Sequence, residues 1–242
     1  MTRELVYGRR AVREALRGRR EVLEIWAGER ALASERWLRE TPGLRVHVKP
    51  ERVLAAEAET RDHQGVVAWC EPYTYADAYE LAAGAEPLLV CLDGVTDPHN
   101  LGAVCRSAEC AGATGVVLPA HRSARVTPAV CRASAGAVEH VPIAVVTNLA
   151  SFIADVRRPE LWFLAATADS DTPMWEADLN GGTGLVLGAE GKGLRPLVRR
   201  ACDATIGIPM TGRIDSLNVS VAAALLLYEA RRQRSLVQAP DA

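Results

Sequence analysis

The chain has 242 residues, 49% of them hydrophobic and 24% charged, with a formal net charge of −2, a balance that buries a core and excludes a disordered chain. Near-neutral charge speaks against holding nucleic acid by bulk electrostatics alone, and no apolar run approaches the length that spans a bilayer. Charges fill MTRELVYGRRAVREALRGRR, where a signal peptide needs an apolar stretch, so a cytoplasmic protein is expected. The six cysteines contain no C-x-x-C pair and no His/Cys cluster has zinc spacing. Most of them read as reduced, buried small hydrophobes, and no metal is expected.

In chain order, residues 8–18 read as a helix, EVLEIWAG as a strand, and 29–40 as a second helix ended by Thr41-Pro42-Gly43. LRVHVKP alternates like a strand, 50–58 like a helix and GVVAWCE like another strand, a βαβαβ-like unit closing near Glu71. Arg3, Arg9, Arg10, Arg13, Arg17, Arg19 and Arg20 crowd the first twenty residues against Glu4 and Glu14. That allows a basic face, although charge alone is equally that of a solvated helix surface. Residues 72–86 read as a linker with a short helix, which sets domains at 1–71 and 87–242.

From Pro87 short apolar runs (PLLVCLDGV, GVVLP, PIAVV, LWFLAAT, GLVLGAE, ATIGIPM) alternate with helical segments such as NLGAVCRSAECAGA, the pattern of a mostly parallel sheet covered on both faces. A long Ala/Leu/Val-rich helix, SLNVSVAAALLLYEARRQR, closes this α/β domain and is apolar enough to be buried on more than one side.

Three segments carry candidate chemistry. In LDGVTDPHNLGAVCRSAECAG, residues 92–112, Asn100 is placed to cap a helix that carries Arg106. In GLVLGAEGKGL, residues 184–194, a strand runs into glycines around Glu190. A Walker loop is excluded because Gly193 follows Lys192, and a dinucleotide fingerprint because Pro196 stands where glycine is needed. In IPMTGRIDSLNVSVAAALLLYEA, residues 208–230, a strand ends at Pro209-Met210 and Ser216-Leu217-Asn218 opens the last helix, whose free N–H groups suit a carboxylate.

Together these segments resemble the three motifs of SpoU-type (TrmH-like) RNA ribose 2'-O-methyltransferases of the SPOUT class. Asp93, Asp97, Pro98, Asn100, Gly102 and Arg106 follow D-x-x-x-D-P-x-N-x-G-x-x-x-R; Gly188, Glu190, Gly191, Gly193 and Leu194 match the second motif; I-P-M…S-L-N-V-S matches the third. Tyr7-Gly8 and His63-Gln64-Gly65-Val66 resemble the ribosomal-protein-like substrate-binding domain of the RlmB-type 23S rRNA guanosine methyltransferases.

The resemblance implies a C-terminal trefoil knot whose loops, residues 165–168, 186–191 and 206–218, hold S-adenosylmethionine in a bent form. Gly188, Ile208 and Leu217 are then expected against the cofactor, with Thr167 and Met210 nearby. It implies Arg106 as the main catalytic residue, oriented with the ribose by Asn100, Glu190, Ser216 and Asn218. Arg9, Arg10, Arg13 and His63 are expected to contact RNA, and the knotted domain to pair as a homodimer. A ribose of transfer RNA is the alternative target, and a non-catalytic RNA-binding protein the alternative class.

Overall fold

The computed structural model describes residues 2–41 and 43–237. Pro42, part of the expected stop of the second helix, and the residues after 237 lie outside it. The chain falls into two compact units, Met1–Thr74 with Arg125–His140, and Tyr75–Ala124 with Val141–Ala242.

The first unit contains β1 (Glu4–Tyr7), α1 (Arg9–Ala15), β2 (Val22–Ala27), α2 (Glu29–Ser34), α3 (Arg36–Glu40), β3 (Val46–Val48), α4 (Glu51–Ala58) and β4 (Val66–Cys70). Its sheet runs in the order β1-β4-β2-β3, and only β2 and β3 pair in parallel. Strand β1 was not anticipated, since four residues inside an arginine-rich stretch give too short a pattern to read. The single helix expected over 29–40 is two. Glu35 is extended between them (φ −105°, ψ 100°), and its carboxylate accepts hydrogen bonds from the Arg9 guanidinium at 3.1 Å and the Trp37 indole at 2.8 Å. On one sheet face Leu54 and Ala58 of α4 pack over Val67.

In the second unit the elements are α5 (Ala78–Ala82), β5 (Leu88–Asp93), α6 (Pro98–Ala111), β6 (Gly115–Pro119), β7 (Ile143–Val146), α8 (Leu149–Val156), β8 (Leu161–Ala166), β9 (Gly182–Gly188), α9 (Pro196–Ala201), β10 (Ala204–Ile206) and α10 (Val219–Val237), while α7 (Pro128–Ala133) lies in the segment belonging to the first unit. Six strands form a wholly parallel sheet in the order β10-β8-β9-β5-β6-β7. Every residue of β5 and β6 is buried, as strands covered on both faces require. The end of α10 is locked by Arg234, which donates to the carbonyls of Leu179 and Glu86 at 3.1 Å, and to Gly181 and Pro87. Burial draws its pKa below the ordinary value.

The segment Arg125–His140 joins the first unit through a buried ion pair. Glu139, 3% exposed, follows the turn after α7 and accepts from Arg20 Nε at 3.0 Å and again from Nη2. Burial opposes the charge on Arg20, but the Glu139 hydrogen bond outweighs it and its pKa stands above the ordinary value. Arg20 thus leaves the expected basic face and becomes an internal tie. Gly136 (φ 88°) admits this contact region, since a Cβ there would sit 2.5 Å from Cβ of Glu14. Glu14 in turn contacts His140 at 2.9 Å.

Breaking one partner of a buried pair leaves an uncompensated charge, at a cost of about 3–5 kcal/mol. Glu139→Ala is therefore expected to destabilise the first unit by that order. Urea unfolding followed by circular dichroism measures it, and an unchanged midpoint would rule out the tie.

Candidate active site

The C-terminal ends of β8, β9 and β10 carry loops that meet the start of α10. Between them lies a cavity of about 480 Å³, at the end of a parallel sheet where α/β proteins place their ligands. Its apolar wall includes Leu187, Ile206 and Val219, and its polar rim includes Asp169, Glu190, Lys192 and Arg199.

Local chemistry shapes each wall. The strand β9 stops at Gly188, and the chain turns back with Gly193 N–H donating to the Ala189 carbonyl at 2.8 Å. A Cβ on Gly188 would lie 2.1 Å from the Gly193 carbonyl carbon, so only glycine fits. The exit of this turn is fixed by Asp93, 1% exposed at the end of β5. Its carboxylate accepts from the Arg195 backbone N–H at 2.8 Å and from Nε at 2.7 Å. Thr167 N–H donates to the Ile206 carbonyl at 3.0 Å and Met174 N–H to Gly207 at 2.8 Å, which ties the β8 loop to the end of β10. Asn218 accepts from Ser220 N–H at 2.9 Å at the mouth of α10, and its amide donates to Asn100 at 3.0 Å.

All five residues expected against a cofactor, Thr167, Gly188, Ile208, Met210 and Leu217, line this one cavity, as do Glu190 and Ser216. Asn218 and Asn100, 118 positions apart, stand beside it in mutual contact. Arg106 is different. It is exposed on α6, does not line the cavity, and makes no hydrogen bond or ion pair among the described residues. The cap of α6 is Asp97, which accepts from His99 N–H at 2.9 Å, and not Asn100, which lies inside the first turn.

Sequence reasoning missed two ion pairs here. One is Asp93–Arg195; the other is Arg199–Asp169, at 2.9 Å on the cavity rim, where the Arg199 hydrogen bond holds the Asp169 carboxyl below its ordinary range. Asp93 opens the first motif, which was a usable signal. Nothing in the sequence marks Arg199. In the first unit, Arg9 and His63 share a separate cleft, while Arg10 and Arg13 are exposed on α1. Among the described residues no group of three or more His, Cys, Asp or Glu side chains is placed to hold a metal ion.

A parallel sheet ending in a glycine turn, with three distant loops walling one cavity, defines an α/β protein with a ligand site at the C-terminal ends of its strands. The SpoU rRNA Methylase family matches residues 87–228, and the RNA 2'-O ribose methyltransferase substrate-binding family matches residues 5–76. The chain belongs to the SpoU rRNA methylase family. It is 40% identical to the 23S rRNA (guanosine-2'-O-)-methyltransferase RlmB of Pseudomonas syringae pv. tomato, over 98% of each chain. Among solved structures it resembles the SpoU methyltransferase AviRb of Streptomyces viridochromogenes in complex with AdoMet (TM-score 0.81, 29% identity, 96% of this chain and 90% of that one). It also resembles an RNA 2'-O ribose methyltransferase (TM-score 0.83, 32% identity, 96% and 89%).

Gly188→Ala forces a methyl group into the Gly193 backbone, and overpacking of this kind costs about 1–3 kcal/mol. The variant is expected to melt several degrees lower. A thermal midpoint equal to that of the parent would show that the turn yields freely.

Proposed function

We propose that this chain transfers a methyl group from S-adenosylmethionine to a ribose 2'-hydroxyl of RNA, at a guanosine of 23S rRNA. The observation that carries the reading is the convergence of the three motif segments on one cavity, with all five expected cofactor residues on its wall. The residues fit the cofactor. Gly188 leaves a cradle that a Cβ would fill, and the Thr167 hydroxyl is buried on the wall without a hydrogen bond of ordinary geometry. The apolar wall suits an adenine ring, and the carboxylates of Asp169 and Glu190 suit a cationic ligand.

When bound, S-adenosylmethionine supplies an electrophilic methyl group on a sulfonium. The work of the chain is alignment and charge. A ribose hydroxyl is a weak nucleophile, so the protein must hold it in line and favour loss of its proton. A guanidinium serves as a cation and not as a base, so Arg106 stabilises negative charge that develops on the ribose oxygen and orients a phosphate. It has no acid partner among the described residues, as a group reserved for RNA should. Asn100 and Asn218 hold each other, and with Glu190 and Ser216 they position the ribose.

The loops 165–168, 186–191 and 206–218 form the family's trefoil knot in this reading, an exception to the avoidance of knots. The substrate-binding unit favours ribosomal over transfer RNA, and the presence of Arg106, Glu190 and Asn218 argues against a bare RNA-binding platform. The enzyme works in the cytoplasm without a metal. No helix among the described residues is long and apolar enough to cross a membrane.

The chain works as a homodimer. Val221, Leu225 and Tyr228 are 47%, 39% and 53% exposed along α10 and line a groove with Ala103 and Ser107 of α6. Such an apolar stripe is more stable against a second copy than against water. Leu225→Arg should give the monomer mass in light scattering at micromolar concentration; a parent protein that is already monomeric there would overturn the dimer.

The catalytic reading is tested by mapping 2'-O-methyl groups in RNA from cells with and without the gene. One 23S rRNA guanosine should lose its methyl group and regain it with the parent gene. Arg106→Ala should bind S-adenosylmethionine normally but turn over about 10²–10³-fold more slowly, the usual loss for one charge-stabilising donor, and Arg106→Lys should not rescue it. A comparable loss of cofactor affinity would refute this role.

A further inference from the structure

The first unit holds a cleft of about 460 Å³ that the methyl-transfer reading does not use. Arg9, Arg30, Arg61, Glu51, His63 and Gln64 line it. Arg9 is fixed in place: its Nε donates to the Gln64 carbonyl at 3.1 Å, its backbone N–H to the Gln64 side chain at 3.1 Å, and its Nη1 to Glu35. Arg30 and Arg61 are exposed and have no acid partner among the described residues. His63 is buried, 4% exposed, and its Nδ1 accepts from Gly65 N–H at 3.0 Å. In the neutral ring the proton therefore sits on Nε2, which faces the Glu51 carboxylate at 3.7 Å.

Two unpaired guanidiniums beside a third that is held rigid form a set of donors for phosphate oxygens, arranged by the fold and not by a local charge run. The carboxylate among them is out of place in a simple anion site. It accepts hydrogen bonds only, and its complement is a hydroxyl or an N–H. A sugar carrying a 2'-hydroxyl next to a phosphodiester offers both chemistries at the spacing of one nucleotide, and the 2'-hydroxyl is the group that separates RNA from DNA.

We propose that this cleft binds one backbone nucleotide of the RNA substrate, with Arg30 and Arg61 on its phosphate and Glu51 accepting from its ribose 2'-hydroxyl. Arg9 and His63 position the wall; His63 does so by orienting Glu51. The assignment rests on RNA being the substrate, and it places a ribose-reading site in the first unit, apart from the cavity of the second.

The test measures filter binding of the full-length protein to a 23S rRNA fragment and to the same sequence as DNA, across a salt series. Arg30→Ala/Arg61→Ala should weaken RNA binding and lower the slope of log K against log salt by about two, roughly one per lost phosphate contact. Glu51→Ala should leave that slope unchanged and lower the RNA-over-DNA preference several-fold. All three side chains are exposed, and a circular dichroism melt matching the parent verifies the fold. An unchanged slope in the double variant overturns the phosphate assignment, and an unchanged RNA-over-DNA ratio in Glu51→Ala overturns the ribose assignment. Because these readouts need no methyl transfer, failure to find a methylated 23S rRNA site would refute the catalytic reading and leave the cleft to be judged on binding alone.

Discussion

A carboxylate as buried as Asp93 must find its hydrogen bonds inside the protein, because leaving it unpaired there costs several kcal/mol. It finds them on Arg195, through the backbone N–H and the guanidinium together. That demand joins the end of β5 to the residue just before α9, 102 positions later. The glycine turn between Gly188 and Gly193 is thereby held at both ends, by β9 on one side and by Asp93 on the other. With that wall set, the loops after β8 and β10 close the cavity against it through backbone hydrogen bonds. The cavity's place therefore depends on where these strands end.

The first unit depends on a second buried charge pair, Arg20–Glu139, which spans 119 positions. A division of the sequence at 71 and 86 assigns Arg125–His140 to the catalytic half, whereas in space this segment packs with the first unit. No composition shift marks it, because Pro128–Ala133 reads as one more helix of an α/β domain. The information lies in a pairing between distant residues, and a single sequence does not display such pairings. The consequence is physical: the chain passes out of the catalytic sheet after β6, contributes to the first unit, and returns to form β7. The two units are therefore joined by three covalent crossings and not by one linker.

Much of the sheet was legible because buried parallel strands are short and apolar, and β5, β6, β7, β8 and β9 all fall on runs read as strands. ATIGIPM was read too long: the strand stops at Ile206, and the rest is the irregular loop that lines the cavity. The helix over 29–40 was read as continuous because its apolar period is continuous; the break at Glu35 comes from a carboxylate engaged by Arg9 and Trp37, which is tertiary. The grouping of Thr167, Gly188, Ile208, Met210 and Leu217 around one cavity was legible through the resemblance. Arg106 was equally legible as a motif residue, yet it makes no hydrogen bond or ion pair among the described residues.

The net charge of −2 argues against bulk electrostatic attraction to RNA, and the arrangement of the arginines explains how an RNA enzyme can carry it. Of the seven arginines in the first twenty residues, Arg3, Arg9, Arg17 and Arg20 are each paired with a glutamate, so their charge is largely spent within the fold. Those that stay exposed without an acid partner among the described residues include Arg10 and Arg13 on α1, Arg30 and Arg61 at the cleft, and Arg106 on α6. Screening limits exposed charges to about 8–10 Å in physiological salt, so a polyanion at the surface meets local groups and not the sum over the molecule. Pairing some arginines inward to set the fold and leaving others unpaired lets one residue type do both tasks. A near-neutral total also limits non-specific adhesion to the many competing phosphates of a cell, and that leaves recognition to the places where unpaired cations meet a shaped surface.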